Sequence, residues 1–380
     1  RVLVNGLTLA ELEEALFRTV TLRQLARRMA EQSDPQFPLL LAFDEAQYSP
    51  EWWRELKGLV DQVSKRRPRI VLTGSASPAL LKGMEDSLQG RYDRFPLLGL
   101  NLDEFIRLRE GRGIQRPPRA HLEDYLERGG YPEHATEPSE KLPLIRRRIR
   151  EDVEKKAIGQ DLAVDLGLRE DLGLLRVFLH LVQHPGARLN MKKLSEAVGI
   201  HPATGQRWLL ALEKTSLFHR LPATSADGRP AQAGRCQPKI YPTDPGLIAA
   251  YTPTGDHGRR AECAVLRHLL EVRENLELDS DSTVRSTLGF WKQNEYEIDF
   301  LLRFEGQVLA VEVTTGIPFP TQKLLKFQKA LGKIRWARAM LVCLEPQPRT
   351  ESWEGGKVEI LPLEKFLLLD SRPRTWFPEA

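Results

Sequence analysis

The tightest constraint on this chain is a short apolar run, Leu39 to Phe43, held between Pro38 and the acidic pair Asp44-Glu45. A run of this length without polar alternation is the pattern of a strand buried on both faces in a parallel sheet. A helical segment from Glu51 to about Val63 follows, and then a second apolar strand at Ile70 to Leu72. Strand, helix and strand at this spacing predict a crossover unit, which commits the start of the chain to an α/β fold. Ahead of it, residues 1–38 predict a short strand, an Asn5-Gly6 turn and two helices opened by capping boxes, Thr8 with Glu11 and Thr21 with Gln24.

At 380 residues the chain is too long for one ordinary core, and roughly two to three domains are expected. Residues 100–171 read as mostly helical, broken by the Gly111 to Arg119 loop and by Gly129-Gly130-Tyr131-Pro132. Three helical segments follow between Leu174 and Pro222. A Gly/Pro-rich stretch, Ala223 to Pro238, then precedes Lys239-Ile240-Tyr241, which is the outline of a winged helix. From Arg259 the pattern becomes a long helix, strands at Gly289 to Lys292, Ile298 to Phe304 and Val308 to Val313, a helix after Thr321, and a strand at Met340 to Cys343. The expected division is therefore 1–99, 100–172, 173–256 and 257–380.

Several classes are excluded. The net charge of +4 does not demand a polyanionic partner, and basic runs such as Lys65 to Arg69 and Arg146 to Arg150 are ordinarily solvated faces. Cys236, Cys263 and Cys343 are far apart and odd in number, which argues against a disulfide framework or a zinc site and fits a reducing cytoplasm. No apolar run approaches the ~18 residues of a membrane span, and no signal-peptide pattern opens the chain, which begins at Arg1.

An apolar strand ending in Asp-Glu suits nucleotide hydrolysis. The first carboxylate can hold the water shell of a magnesium ion, and the second can polarise an attacking water. The neighbouring strand runs into Thr73-Gly74-Ser75, hydroxyls placed to sense a phosphate. With Asp44-Glu45-Ala46-Gln47, Leu88-Gln89-Gly90-Arg91, Asp103-Glu104-Phe105 and Gly129-Gly130-Tyr131-Pro132, the chain from Leu39 onward resembles a bacterial and archaeal family of AAA-type P-loop ATPases. Members of that family carry a C-terminal domain of unknown function. The resemblance implies ATP and Mg2+ as cofactors, Asp44 as the magnesium ligand, Glu45 as the water-activating base, and Thr73 or Ser75 as phosphate sensor. It also implies Arg91 as an arginine finger, which acts best across a subunit boundary and so implies a homo-oligomer. A surface ion pair is the plainer reading of Arg91, and Arg94 is equally well placed.

One element of the family is missing. Phosphate binding needs a glycine-rich loop with its lysine, yet no Gly-Lys-Ser/Thr occurs: Gly332-Lys333 is followed by Ile334, and Gly356-Lys357 by Val358. Residues 1–38 contain a single glycine, Gly6. The expectation is a chain truncated at its N-terminus, the alternative a chain that binds ATP poorly.

In the middle region, Leu194 to Gly199, a turn at Gly199-Ile200 and a helix from His201 to Glu213 place His201, Thr204, Gln206 and Arg207 where they could face a DNA major groove. Gly205 inside that helix costs about 1 kcal/mol against alanine. Winged helices also serve as plain packing modules. His180 and His184 share a helical face but lack the acidic neighbour of the metalloprotease motif, so they read as structural histidines.

At the C-terminus, Asp299 is expected to begin a strand and Glu312 to end the next, after a hairpin at Glu305-Gly306, so that the two carboxylates lie side by side and share a metal. With Glu262 on the preceding helix, this region looks like the restriction-endonuclease-type fold, whose hallmark is Asp followed by Glu-x-Lys. Here Glu312-Val313-Thr314 lacks the lysine, for which Lys323 or Lys326 would have to substitute. The sequence therefore predicts an α/β protein with an incomplete AAA-type core, a helical and winged-helix middle and a restriction-endonuclease-like C-terminal domain. Magnesium-dependent ATP hydrolysis is the leading function; a metal-dependent DNA nuclease and a non-enzymatic DNA-binding or assembly protein are the alternatives.

Overall fold

The computed structural model describes residues 2–3, 40–43, 53–54, 56–57, 69–73, 92, 95, 97–162, 172–232, 236–279, 286–317, 319–345, 347–372 and 376–377. They divide into two compact units, residues 1–96 with 161–168, and residues 97–160 with 169–380.

The first unit holds a three-stranded sheet. Strand β1 (Val2–Leu3) pairs antiparallel with β2 (Leu40–Phe43), which pairs parallel with β3 (Arg69–Leu72) in the register Leu40↔Arg69 to Phe43↔Leu72. Residues 53, 54, 56 and 57 are helical, as a parallel pair joined by a crossover helix requires. Phe43 and Leu56 are buried, whereas Val71 of β3 is 46% exposed, so β3 presents one face to solvent.

In the second unit, helix α1 (Leu102–Glu110) starts at a full capping box. Asn101 Oδ1 accepts from the Glu104 amide, and Glu104 Oε2 accepts from the Asn101 amide. Helices α2 (Pro118–Arg128), α3 (Pro132–Ala135) and α4 (Leu142–Glu151) follow, with a π-helical stretch at Asp152–Leu162. Gly129 stands at φ +75°, and a Cβ there would lie 1.8 Å from Asp244 Oδ1. The Gly129-Gly130 motif is therefore a backbone cradle for Asp244. Its Oδ2 accepts from the Gly130 amide and its Oδ1 from the Gly246 amide, both at 2.7 Å, where it caps α8 (Pro245–Tyr251). Burial pushes the Asp244 carboxyl up to about 6, against the pull of those two amides.

Helices α5 (Leu172–Gln183), α6 (Met191–Val198) and α7 (Pro202–Lys214) lead into β4 (Phe218–Leu221), which pairs antiparallel with β6 (Lys239–Pro242). A single bridge, Arg188↔Lys239, adds the α5–α6 connection to this small sheet. Between β4 and β6 the chain leaves to form β5 (Ala223–Thr224), a strand of a different sheet.

That sheet has seven strands in the order β11-β12-β10-β9-β8-β7-β5. Strands β7 (Thr287–Gln293), β8 (Tyr296–Phe304) and β9 (Gln307–Val313) form an antiparallel meander. Strands β10 (Arg338–Cys343) and β12 (Gly356–Pro362) extend it in parallel, and β11 (Arg349–Trp353) closes the edge antiparallel to β12. The β8–β9 turn has Glu305 at φ 48° and Gly306 at φ 85°, the positive pair of a type I′ hairpin. Period-two alternation sorts the side chains into two layers. Leu309, Val311, Met340 and Val342 pack with Val265 and Leu269 of α9 (His257–Asp279), Phe366 of α11 (Leu363–Leu367), and Phe105 and Tyr125 of α1 and α2. Val308, Ala310, Ala339 and Leu341 pack with Leu324, Phe327 and Leu331 of α10 (Thr321–Leu331) on the other face. Each fully buried Leu, Met or Phe contributes about 1.5–3 kcal/mol. The first layer runs without a break from the helices after residue 100 to the C-terminal sheet, so segments expected as separate domains share one core.

Candidate functional site

Two places gather residues that the sequence singles out. The first lies in the seven-stranded sheet. Asp299 does not begin its strand; it lies inside β8 at a bulge. Gly289 pairs with Leu301 and Trp291 with Ile298, so β8 spends one more residue than β7 over that step. A bulge of this kind re-aims a side chain, and here it brings Asp299 to the point where β8 and β9 part. The ladder ends at Phe300↔Val311. Beyond it the side chains take over: the Asp299 amide donates to Glu312 Oε2 and the Val313 amide donates to Asp299 Oδ2, each at 3.0 Å.

Cations complete this exchange. Lys323 Nζ, from the first turn of α10, lies 2.5 Å from Glu312 Oε1. Lys239 Nζ lies 2.7 Å from Glu297 Oε1 and 3.5 Å from Asp299 Oδ1. Glu262 on α9 accepts from the Tyr241 hydroxyl at 3.0 Å and pairs with Arg259 at 3.1 Å. Burial, and then the Asp299 charge, push Glu312 up to about 8 while Lys323 pulls the other way. Burial opposes the charge on Lys323, but Glu312 and Asp299 outweigh it and hold the ammonium above the ordinary lysine range. Burial likewise works against Glu297, yet Lys239 and Lys292 bring it down to about 2. Burial and then Asp299 raise Glu262.

These residues do not fit a divalent metal. Lys323 and Lys239 already contact the carboxylates, and among the described residues no group of three His, Cys, Asp or Glu side chains is placed to hold a metal ion. Of the two lysines considered as stand-ins for the missing Glu-x-Lys position, Lys323 reaches Glu312 and Lys326 is exposed on α10. Thr314, which occupies that position, is buried and donates its amide to Val342 O at 2.9 Å. Lys239 and Glu297 are members that sequence reasoning missed. The one signal was a lysine opening an apolar strand, since a lysine buried there needs a carboxylate.

The second place is the carboxyl end of β2 and β3. The Thr73 amide donates to Phe43 O at 2.8 Å, carrying the parallel ladder one step past β3, and Thr73 is exposed there. Asp44-Glu45 follow Phe43 in the chain, and Gly74-Ser75 follow Thr73. Loops at the carboxyl ends of parallel strands are where open α/β sheets bind ligands. Asp44, Glu45, Ser75 and Arg91 lie outside the described residues.

Residues 4–106 match the AAA domain. The AAA match takes in β2 and β3 and agrees with the resemblance drawn from Asp44-Glu45-Ala46-Gln47 and Thr73-Gly74-Ser75. Residues 119–257 match a domain of unknown function, DUF8612, which runs from α2 to the first residue of α9. The chain is 25% identical over 336 residues to an uncharacterized protein of Mycobacterium tuberculosis, covering 82% of this chain and 67% of the relative. An uncharacterized protein of Mycobacterium bovis gives the same figures. Among solved structures, a Walker-type ATPase of Pyrococcus abyssi aligns at 15% identity with a TM-score of 0.41, over 65% of this chain and 72% of that one.

Outside the AAA match, the four residues expected to face DNA are not equivalent: His201 is exposed but caps α7. Arg207 is exposed on α7, whereas Thr204 and Gln206 are half-buried. His180 and His184 stack with ring centroids 4.5 Å apart, and His184 Nδ1 lies 2.8 Å from His180 O. No described helix is long and apolar enough to cross a membrane.

Proposed function

We propose that this chain belongs to a magnesium-dependent AAA-type ATPase, with its nucleotide chemistry at the carboxyl end of β2 and β3. The observation that carries the reading is the parallel β2–β3 register. It brings Phe43 and Thr73 together at the carboxyl end of the pair, and in the sequence Asp44-Glu45 follow directly after Phe43 and Gly74-Ser75 directly after Thr73. The match of residues 4–106 to the AAA domain supports it.

The donor set suits the cofactors: a carboxylate pair for a hydrated cation, hydroxyls for a phosphate. Asp44 would hold magnesium, which when bound neutralises phosphate charge. Glu45 would take the proton of the attacking water, Thr73 or Ser75 would hydrogen-bond the terminal phosphate, and Arg91 would meet a phosphate across a boundary between copies of the chain. The phosphates need a further cradle, because the sequence contains no Gly-Lys-Ser/Thr. We read the seven-stranded sheet with α9 and α10 as a restriction-endonuclease-like fold whose carboxylates are neutralised internally and which cuts no nucleic acid.

The test is ATP binding and turnover by the whole gene product, with whatever it encodes ahead of Arg1, in the presence of magnesium. Turnover lost in Glu45→Gln with binding retained is the expected result. A gene product that shows no ATP binding by calorimetry removes the reading.

A further inference from the structure

Helix α7 wears its sequence in two stripes. Gly205, Trp208, Leu209, Ala211 and Leu212 face inward, while Ala203, Arg207, Leu210 and Lys214 recur at helical spacing on the exposed side. Gly205 is the contact point with α6: a Cβ there would lie 3.1 Å from Met191 Sδ and 3.2 Å from Ser195 Oγ. The glycine that weakens the helix in isolation lets the first turn of α6 press against the first half of α7. That turn carries Lys192 and Lys193, both exposed. Gly199, in the left-handed region at φ 77°, makes the tight turn between the helices, and His201 caps α7 by accepting from the Ala203 amide.

Exposed cations with no ion pair among the described residues occur elsewhere in the unit, Arg112, Lys326, Lys329 and Lys357 among them, but α6 and α7 gather four on two adjoining helices. Arg107, Arg116, Lys141, Arg147, Arg148 and Arg229 all have carboxylate partners. Lys192, Lys193, Arg207 and Lys214 make no ion pair among the described residues. Glu196 is an exposed acid on the same pair of helices, and Glu213 is engaged by Arg220 at 2.7 Å. Four cations without an ion pair on one exposed helix face and the turn beside it are complementary to a regular array of phosphates. The exposed stripe spans residues 203–214, about 16 Å at 1.5 Å per residue, and a major groove about 12 Å wide admits such a helix. Leu210 is the exposed large hydrophobic side chain of the stripe, too little apolar area for insertion into a lipid surface.

We propose that α6 and α7 dock on duplex DNA, with α7 in the major groove, Arg207 at the base edges, and Lys192, Lys193 and Lys214 on flanking phosphates. The order α5, the Arg188 bridge, α6, α7, β4, β6 is read as a winged helix in which the usual wing is diverted into β5. DNA docking does not depend on the ATPase reading, and it is measured without nucleotide.

The experiment is fluorescence anisotropy of the full chain with a labelled duplex of mixed sequence, titrated over a salt series. Three phosphate contacts predict a log–log salt slope of roughly −3, and Lys192→Ala/Lys193→Ala should shrink it by about two. Arg207→Ala should weaken binding roughly tenfold or more. Lys192→Arg/Lys193→Arg should restore the slope, and Lys326→Ala/Lys329→Ala on α10 should leave it unchanged, with folding of every variant checked by circular dichroism. Absence of binding at low salt overturns the proposal. So does binding indifferent to the α6 and α7 variants, equal loss in the α10 control, or preferential capture of anionic phospholipid vesicles over duplex.

Discussion

The carboxylates of β8 and β9 and those that follow β2 share a residue type and a place on apolar strands, and the first set shows what surrounds it. In the seven-stranded sheet each acid already has a protein cation or amide: Glu312 has Lys323, Asp299 has Lys239 and the Val313 amide, and Glu262 has Arg259. At the end of β2, the acids follow a strand whose neighbour ends in an exposed hydroxyl residue. An acid cluster whose charge is balanced inside the fold acts as structure. On the proposed ATPase reading, the Asp44-Glu45 pair would be completed by a ligand instead. The same sequence signal, an acid on an apolar strand, can therefore carry two meanings, and at β8 and β9 Lys323 and Lys239 decide it.

The largest expected effect lies on the ligand-dependent side. Glu45→Gln in the whole gene product should lower the ATP turnover number by roughly 10²–10⁴ while nucleotide affinity stays within a few-fold, read by a coupled ATPase assay and by calorimetry. Turnover unchanged by Glu45→Gln would break the contrast at its first term.

On the internal side, Lys323→Met leaves the buried Glu312 carboxyl without its cation and, with Lys323 itself part-exposed, should destabilise the second unit by about 1–3 kcal/mol, measured by urea unfolding above pH 8 where Glu312 is ionised. Adding Glu312→Leu should recover most of that loss, because removing both charges removes the uncompensated one. If Lys323→Met were neutral and instead conferred magnesium-dependent stabilisation, the cluster would be a masked metal site.

A third test uses acid. Burial pushes His268 down to about 4, and its ring nitrogens have no hydrogen-bond partner where it packs against Phe366 and Trp376. The unfolded chain binds this proton near 6.5 and the folded one near 4, so stability is present above 6.5 and falls as pH drops between those values. The loss amounts to about 3 kcal/mol for this group. His268→Phe should flatten that limb in pH-dependent thermal melts. Thr73→Ala should have the smallest effect, under about 1 kcal/mol on stability because the side chain is exposed, with any larger change confined to turnover.

Much of this architecture was legible locally. The apolar runs of β2, β3, β8, β9 and β10 were read to within a few residues, and Glu305-Gly306 marked its hairpin. Strands β11 and β12 were missed because Arg349–Trp353 alternates polar residues at a sheet edge and Gly356-Lys357 opens β12 without an apolar signal. The bulge at Asp299 was invisible because it arises from mismatched counts on two strands. Lys239 was overlooked because its partners, Glu297 and Asp299, are distant in sequence. Gly129-Gly130 was recognisable as a motif, but its cause, the Asp244 carboxylate, lies 114 residues away from Gly130. At the β2 end the sequence supplied nearly all of the reading, since only Thr73 among the proposed catalytic groups is described.

The detour of the chain into β5 has a consequence for how this unit comes apart. Strands β4 and β6 zip to each other, while Ala223 and Thr224 between them pair with Phe290 and Trp291 of the large sheet. The amide of Phe290 donates to Pro222 O, and Gly289 is bare enough to let that backbone approach. This backbone stitch adds to the core that Leu221 and Tyr241 share with Leu288 and Phe300 and to the Lys239 pairs with Glu297 and Asp299, so neither sheet can melt without tugging the other. Calorimetry should show a single cooperative transition for the second unit, and Gly289→Val, whose side chain would collide with the Pro222 carbonyl, should move that transition as a whole to lower temperature.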